Sequence, residues 1–414
     1  MFNTLGVRAT TLGDIAERLG LTKTSLYNYV KTKEELIYQC YMAALNRHHA
    51  TLDEAESSHG DAAERIAFFY RRQFENWLAA REGRGSYTAA LLEIASLKEP
   101  HREEVEAHYL SMFKRMRQFL RDGIADGSVR NCDTTSATRG VLGSIPFTFI
   151  GMFENTDEEV MQFAHQSIDI LFHGLSANPA EYVCSPLRLE WNGDRQGTAF
   201  DRQHQNRLKQ EAFFKVGTWF FNRQGFGGTS LDEIAEHLKV SKGAFYYHIK
   251  NKEDLLFKCY QYSLDITDRI YERAAGIDAS GVEKVEHICR GIFYMQNSDQ
   301  GPLIRYSSLQ ALPVKRRTKI LERMRASNHR FGEFIQEGID EGSVRPVDVR
   351  VAERMISSAL NASMDMESWR RIDDIDSAAC DYFDLFINGL LPRDRPQHSE
   401  IEHDGKKLPV THSL

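Results

Sequence analysis

No run of 18 or more apolar residues occurs in this 414-residue chain, so a membrane-spanning helix is excluded as a reading. No basic region followed by an apolar stretch opens it, and the expectation is a cytoplasmic protein. Cysteine is sparse. The six residues (Cys40, Cys132, Cys184, Cys259, Cys289, Cys380) are dispersed and form no CxxC. Free thiols in a reducing compartment are the expectation, and a redox or metal sensor is the alternative. A net charge of −7 argues against a protein coated in basic charge. GxSxG, P-loop and GxGxxG fingerprints are missing, and His48 and His49 are adjacent rather than four apart as metal ligands on one helix face would be. Accordingly no catalytic residue, cofactor or metal is expected, and an α-helical enzyme is set aside.

Strand-like alternation is scarce as well. Apolar residues recur at three and four, as in Leu208, Ala212, Phe213, Val216 and Phe220, or less purely in Phe68, Phe69, Arg72, Gln73, Asn76 and Trp77. With 42% hydrophobic and 27% charged residues, this is the composition of a globular protein with real cores. The pattern predicts an all-α fold of about nine helices per half, with little or no sheet.

What is present is a duplication. Thr10–Tyr41 (TTLGDIAERLGLTKTSLYNYVKTKEELIYQCY) and Thr229–Tyr260 (TSLDEIAEHLKVSKGAFYYHIKNKEDLLFKCY) share 14 of 32 positions without a gap. Further on, FLRDGIADGSVR at Phe119–Arg130 returns as FIQEGIDEGSVR at Phe334–Arg345, and DILFHGL from Asp169 returns as DLFINGL from Asp384. One domain pair has been doubled. The predicted organisation is a DNA-binding unit over 1–49, a helical effector and dimerisation bundle over 50–175, a linker over 176–205, a second DNA-binding unit over 206–260, a second bundle over 261–391 and a disordered tail over 392–414. The linker is rich in Pro, Gly, Asn, Asp and Gln; a flexible chain of that length spans roughly 30 Å, enough for the halves to dock in more than one way. Asp133 and Asp348 suit N-caps, with Gly127 and Gly342 near the preceding helix ends.

Within the second copy, Leu231–Leu238 reads as a short amphipathic helix and Lys239-Val240 as a turn. Ser241 is placed to cap a helix over Lys242–Ile249. Phe245 and Ile249 face inward, while Lys242, Gly243, Ala244, Tyr247 and His248 face outward. Local charge fits a DNA-facing surface: residues 207–260 hold nine Lys/Arg against six Asp/Glu, and residues 1–49 hold six against four.

The string SKGAFYYHIKNKEDLL resembles the signature of the TetR family of bacterial transcriptional regulators, and TKTSLYNYVKTKEELI in the first copy resembles it slightly less well. The resemblance implies three-helix DNA-binding units followed by bundles that bind a ligand and dimerise. It implies phosphate contacts for Thr10 and Thr229, capping of the reading helix by Thr22 and Ser241, and base or phosphate contacts for Lys23 and Lys242. Thr24 and Gly243 lie in the reading helices. Tyr27 and Tyr246 would direct their hydroxyls to a phosphate, or serve as core aromatics. Asn28, Tyr29, Tyr247 and His248 would be the most groove-exposed, with an ordinary surface histidine as the alternative for His248. Lys33 and Lys252 open the fourth helix of each unit against its dipole, which favours a phosphate contact over a solvated lysine. In the bundles Phe69, Trp77, Phe293 and Tyr294 could line a ligand pocket, or pack as core.

The first copy lacks counterparts of Phe213, Val216, Trp219 and Phe220, which would form one wall of the three-helix core. Each such side chain contributes on the order of 1.5–3 kcal/mol. Either Met1 is a misassigned internal start, or the first unit is partly disabled. The expected partners are double-stranded DNA carrying an imperfect palindromic operator and a small organic effector of unknown identity, with no membrane. The expected assembly is an intramolecular pseudo-dimer or a homodimer. The expected function is a repressor released by its effector; the alternative is a ligand-binding or interaction module that has lost DNA binding in one or both units.

Overall fold

The computed structural model of the chain describes residues 1–5, 7, 10–58, 60–91, 94, 97–146, 148–149, 152–178, 182–184, 202–298, 301–364 and 372–392. The first half runs α1 (Phe2–Leu5), α2 (Leu12–Arg18), α3 (Lys23–Tyr27), α4 (Lys33–Ser58), α5 (Ala62–Arg81), α6 (His101–Asp126), α7 (Thr134–Gly143) and α8 (Asp157–His173). The second runs α9 (Arg202–Gly228), α10 (Leu231–His237), α11 (Lys242–His248), α12 (Lys252–Gly276), α13 (Gly281–Asn297), a 3-10 turn (Tyr306–Ala311), α14 (Val314–Glu341), α15 (Val349–Ala362) and α16 (Ile375–Asn388). Eight helices in each half are thus described, against the nine expected, and the fold is all-α. The one β-bridge among the described residues joins Ser176 to Val344.

Helix starts follow side-chain caps. Asp133 accepts from the Ser136 amide, and Asp348 from those of Arg350 and Val351. Asp61 with Glu64, and Thr156 with Glu159, close reciprocal capping boxes at α5 and α8, satisfying backbone donors that helix geometry leaves unpaired. The long helices α6 and α14 both end at a left-handed glycine, Gly127 and Gly342.

The two bundles pack against each other through α7 and α8 of the first half and α15 and α16 of the second. The repeated GxxxGSVR segment explains how. In each half the last turn of the long helix carries a glycine, Gly123 or Gly338, whose carbonyl accepts from the amide of Val129 or Val344 at 2.9 Å. A Cβ there would lie 2.5 or 2.4 Å from the valine's Cγ2, so the glycine makes room for the valine to fold back. The next residue, Arg130 or Arg345, then points into the opposite half. Arg130 Nε donates to the Gly389 carbonyl at 2.6 Å and its amide to Leu390 at 2.8 Å. Arg345 Nε donates to the Gly174 carbonyl at 2.6 Å and its amide to Leu175 at 2.9 Å. Each guanidinium also pairs with an aspartate of the opposite helix, Arg130 with Asp384 and Arg345 with Asp169. The contact is a pseudo-two-fold one, of the isologous kind that joins identical subunits.

Its two faces are nonetheless not interchangeable. A Cβ on Gly140 of α7 would meet Leu385 Cδ2 at 2.6 Å, and one on Gly143 would meet the Ala362 Cβ at 2.8 Å. The positions matching them in α15 are Met355 and Ser358, both buried, and the Ser358 hydroxyl donates to the Gly143 carbonyl at 2.8 Å.

The reading of 176–205 as a free linker needs correction where residues are described. Ala177 donates to the Ser343 carbonyl at 2.9 Å, and Tyr182 exchanges two hydrogen bonds with the Asn388 side chain, at 2.8 and 2.9 Å. The segment's described residues 176–178 and 182–184 therefore lie on the second bundle, and residues 202–205 already belong to α9. Residues 179–181 and 185–201, and the tail beyond Pro392, lie outside the described residues.

Candidate nucleic-acid interface

In the second unit α10 and α11 stand on a core of Phe213, Phe220, Phe221, Ile234, Ala235, Phe245, Ile249, Leu255 and Leu256. Phe213 and Phe220 are the wall that the repeat pattern predicted, with Val216 partly buried. Trp219 is not part of that wall: it is 37% exposed, stacks on His237 and carries Arg223 over its ring, and Phe221 is buried instead. In the first unit, among the described residues, Leu12, Ala16, Leu26 and Val30 form a small separate cluster with Ile15 and Leu36 at its edge. Val7, Ile37 and Tyr41 join the core of the bundle instead, with Phe2 packed against it.

Both reading helices start as predicted. Thr22 accepts from the Ser25 amide at 3.0 Å, and Ser241 from the Ala244 amide at 3.2 Å. The turn before them needs a left-handed residue, supplied by Gly20 in the first unit and by Lys239, with φ 54, in the second. Lys23, Thr24, Tyr27, Asn28 and Tyr29 are exposed, as are Ser241, Lys242, Gly243, Tyr246 and Tyr247. Of the four tyrosines Tyr29 and Tyr247 are the most exposed, at 75% and 85%. No heavy atom lies within 4 Å of a Cβ built on Gly243, so the missing side chain opens the surface outward rather than serving the unit's own packing. His248 is half-buried, its ring 5.7 Å from that of Phe213 and 5.0 Å from that of Tyr247.

Several residues assigned to DNA have partners within the unit. Thr10 and Thr229 are buried. The Thr229 hydroxyl donates to the Gly225 carbonyl at 2.7 Å, and the capping positions of α2 and α10 are taken by their neighbours Thr11 and Ser230. Lys252 donates to the Thr229 carbonyl at 2.9 Å and lies 4.8 Å over the Phe226 ring. Those contacts accommodate a cation at a helix start where the dipole disfavours one. Lys33 is half-buried. Tyr27 and Tyr246 are exposed rather than core.

The units differ most at one carboxylate that the sequence reading passed over. Asp232 binds the Lys242 ammonium at 2.6 Å and accepts from the Tyr246 hydroxyl at 3.3 Å. Lys242 holds the carboxyl below its usual range, and the carboxylate raises Lys242 in turn. In the first unit the matching position is Gly13, which offers Lys23 and Tyr27 no such partner.

Of the proposed pocket residues, Phe69 and Phe293 are fully buried within the packed core and Tyr294 is half-buried against it. Trp77 is buried in the same core, stacked on Phe149 at 5.6 Å with the half-exposed Tyr87 and Phe153 beside it.

Comparison with known proteins decides the family. The model described as bacterial regulatory proteins, tetR family, matches twice, over residues 1–40 and 217–259; the tetracyclin repressor-like C-terminal domain matches over 59–150 and 278–369. The chain belongs to the TetR family. It is a tandem member, with two pairs of N- and C-terminal domains, and its helix-turn-helix units are those of transcriptional regulators. The transcriptional repressor KstR2 of Mycolicibacterium smegmatis is 26% identical over 169 residues, 38% of this chain and 78% of that protein. The fatty acid metabolism regulator protein of Bacillus subtilis is 22% identical over 191 residues, 45% and 97%. The match to the Bacillus subtilis regulator YerO, 39% over 59 residues, covers 14% of this chain and only 20% of that protein. Among solved structures, PfmR from Thermus thermophilus is 23% identical and covers 43% of this chain and 97% of its own, with a TM-score of 0.37.

Proposed function

We propose that a single chain of this TetR-family regulator forms the reading unit for one operator, with its two halves paired as a pseudo-dimer and two non-identical heads. The observation that carries this reading is the reciprocal hook of Arg130 and Arg345, set in an interface whose faces are complementary but unequal at Gly140/Met355 and Gly143/Ser358. Such faces favour one first half with one second half over either half with a copy of itself. The reading helices differ at Thr24/Gly243, Ser25/Ala244, Asn28/Tyr247 and Tyr29/His248, so the operator is an imperfect palindrome with half-sites about one helical turn apart. Exposed Lys23, Tyr29, Lys242 and Tyr247 supply the contacts.

The regulator acts as a repressor, a role named for the KstR2 relative. A small apolar effector releases it by shifting the spacing of the heads. The aromatic group around the buried Trp77, with exposed Tyr87 and Phe153 beside it, suits an acyl or similarly apolar ligand, in keeping with the name of the Bacillus subtilis fatty acid regulator.

The test is to measure the mass of the DNA-free and operator-bound protein in solution and to footprint the operator. One chain per asymmetric site is expected; two chains on a perfectly symmetric site would refute intrachain pairing. A second reading, in which the first unit does not read DNA, is favoured by its small core. Gel shifts with Tyr29→Ala and Tyr247→Ala separate the two: loss of affinity only with Tyr247→Ala supports the second reading.

A further inference from the structure

Cysteines that are dispersed in sequence meet in space. Cys184 of the segment leaving the first half, Cys380 of α16 and Glu286 of α13 bring two thiol sulfurs and one carboxylate oxygen within 4.8 Å of one another. We propose that these three side chains form a binding site for a thiophilic divalent cation of the zinc class, which fastens the inter-half segment to the second bundle.

The donor set fits the chemistry. Zinc holds sulfur at about 2.3 Å and carboxylate oxygen at about 2.0–2.2 Å in a tetrahedron, so neighbouring ligand atoms stand roughly 3.3–3.8 Å apart. The three atoms need to close only slightly to reach that spacing. Two thiolates select zinc or its softer analogues over magnesium and calcium, which take oxygen ligands. A fourth position is left for water or another small donor.

The surroundings orient the ligands. Glu286 is buried, and Arg290 donates to its Oε1 at 2.6 Å while binding both oxygens of Asp376 at 2.6 Å. Such partners fix a ligating carboxylate in place. With neutral thiols the local charge is minus one: two carboxylates against one guanidinium. Binding a dication expels the two thiol protons, forms two metal–sulfur bonds and leaves that balance unchanged.

Cys184 is brought there by a separate device. The buried Asn388 side chain pairs with both the amide and the carbonyl of Tyr182, setting the segment's register two residues before the thiol. None of this belongs to the duplicated scaffold. The positions matching Glu286, Cys380 and Asn388 in the first half are Ala67, His165 and His173. The cluster exists only where the segment docks, and the same segment leads on to α9 and the second head.

The test is titration of the reduced full-length protein with cobalt(II), then zinc against a chromophoric chelator. We expect about one equivalent per chain, with a thiolate-to-cobalt charge-transfer band that zinc abolishes. Cys184→Ser and Cys380→Ser each lower affinity by more than the roughly 10–100-fold that loss of a ligand's supporting partner costs, while Cys132→Ser leaves it unchanged. Cys184→Ser keeps the buried Glu286–Arg290 pair intact, so its result is not confounded by misfolding. Absence of the band in wild type, or unchanged affinity and band intensity in Cys184→Ser, overturns the proposal.

Discussion

Gly174 and Gly389 stand backbone to backbone across the contact between the halves. A Cβ on Gly174 would lie 2.6 Å from the Gly389 nitrogen, and one on Gly389 would lie 2.6 Å from the Gly174 nitrogen. Both have positive φ, 66° and 75°, with ψ near 180°, a region that only glycine occupies readily. They end α8 and α16, and the residues that follow exchange bonds: the Leu175 amide donates to Phe386 and the Leu390 amide to Leu171, each at 2.9 Å. Gly174→Ala and Gly389→Ala therefore meet backbone strain and overpacking together. Each is expected to cost about 2–5 kcal/mol, read as a lower midpoint in urea denaturation. A loss below about 1 kcal/mol would show that the halves do not hold this contact in solution.

Asp232 is a negative charge on the surface that the proposed reading turns toward phosphate. Lys242 and Tyr246 are tied to it, and DNA binding has to exchange that carboxylate for a phosphate or share the cation between them. Asp232→Asn removes the competing charge and leaves the hydrogen-bond shape. Operator affinity is expected to rise about 3–10-fold at low salt, with a shallower gain at high salt because the effect is electrostatic. Stability changes little, since the pair is exposed and such pairs contribute about 0–1 kcal/mol. Gel shifts at two salt concentrations check this; unchanged or weaker binding would place Asp232 away from the phosphates.

The local grammar of the chain was legible because it is carried by neighbours in sequence. Ser241, Asp133 and Asp348 cap helices where their spacing said they would, and Phe245 and Ile249 point inward as their i, i+4 relation requires. What stayed hidden depends on which faces meet. GxxxGSVR could be seen as a repeat, but its role as a hook rests on Arg130 reaching Gly389 and Arg345 reaching Gly174. Cys184 and Cys380 approach only because Asn388 fixes the segment between the halves. For Thr10 and Thr229 the resemblance implies a phosphate contact; both are buried, and Thr11 and Ser230 take the capping positions beside them.

Lys239 holds a left-handed conformation with φ 54, where the first unit has Gly20 with φ 65. A residue with a Cβ pays roughly 1–2 kcal/mol there, while glycine adds about 0.4–1 kcal/mol of unfolded-state entropy to be lost. Lys239→Gly is thus expected to stabilise the second unit by up to about 1 kcal/mol, seen as a higher thermal midpoint. The reverse change, Gly20→Lys, is expected to destabilise the first unit, whose four-residue cluster leaves it less margin. A loss of stability on Lys239→Gly would mean that the lysine side chain makes a compensating contact.

His48 gives stability a pH dependence of defined sign. Among the described residues its Nδ1 is enclosed without a hydrogen-bond partner, and the ring lies 5.8 Å from that of Phe69. Burial, with smaller contributions from Arg47 and His49, lowers its pKa from 6.5 to about 4. Between those values the unfolded chain binds a proton that the folded chain refuses, so stability rises with pH across the window. The contribution is fully present above about pH 6.5 and is lost as pH falls toward 4, by roughly 3 kcal/mol at most. His48→Gln keeps a polar side chain of similar size and removes the titration. Urea denaturation at pH 7.5 and 5 is expected to show a smaller difference for the variant than for the wild type, by about 1–2 kcal/mol given that pH 5 lies inside the window. Identical pH dependence in the two proteins would show that His48 is protonated, or exposed, in the folded state.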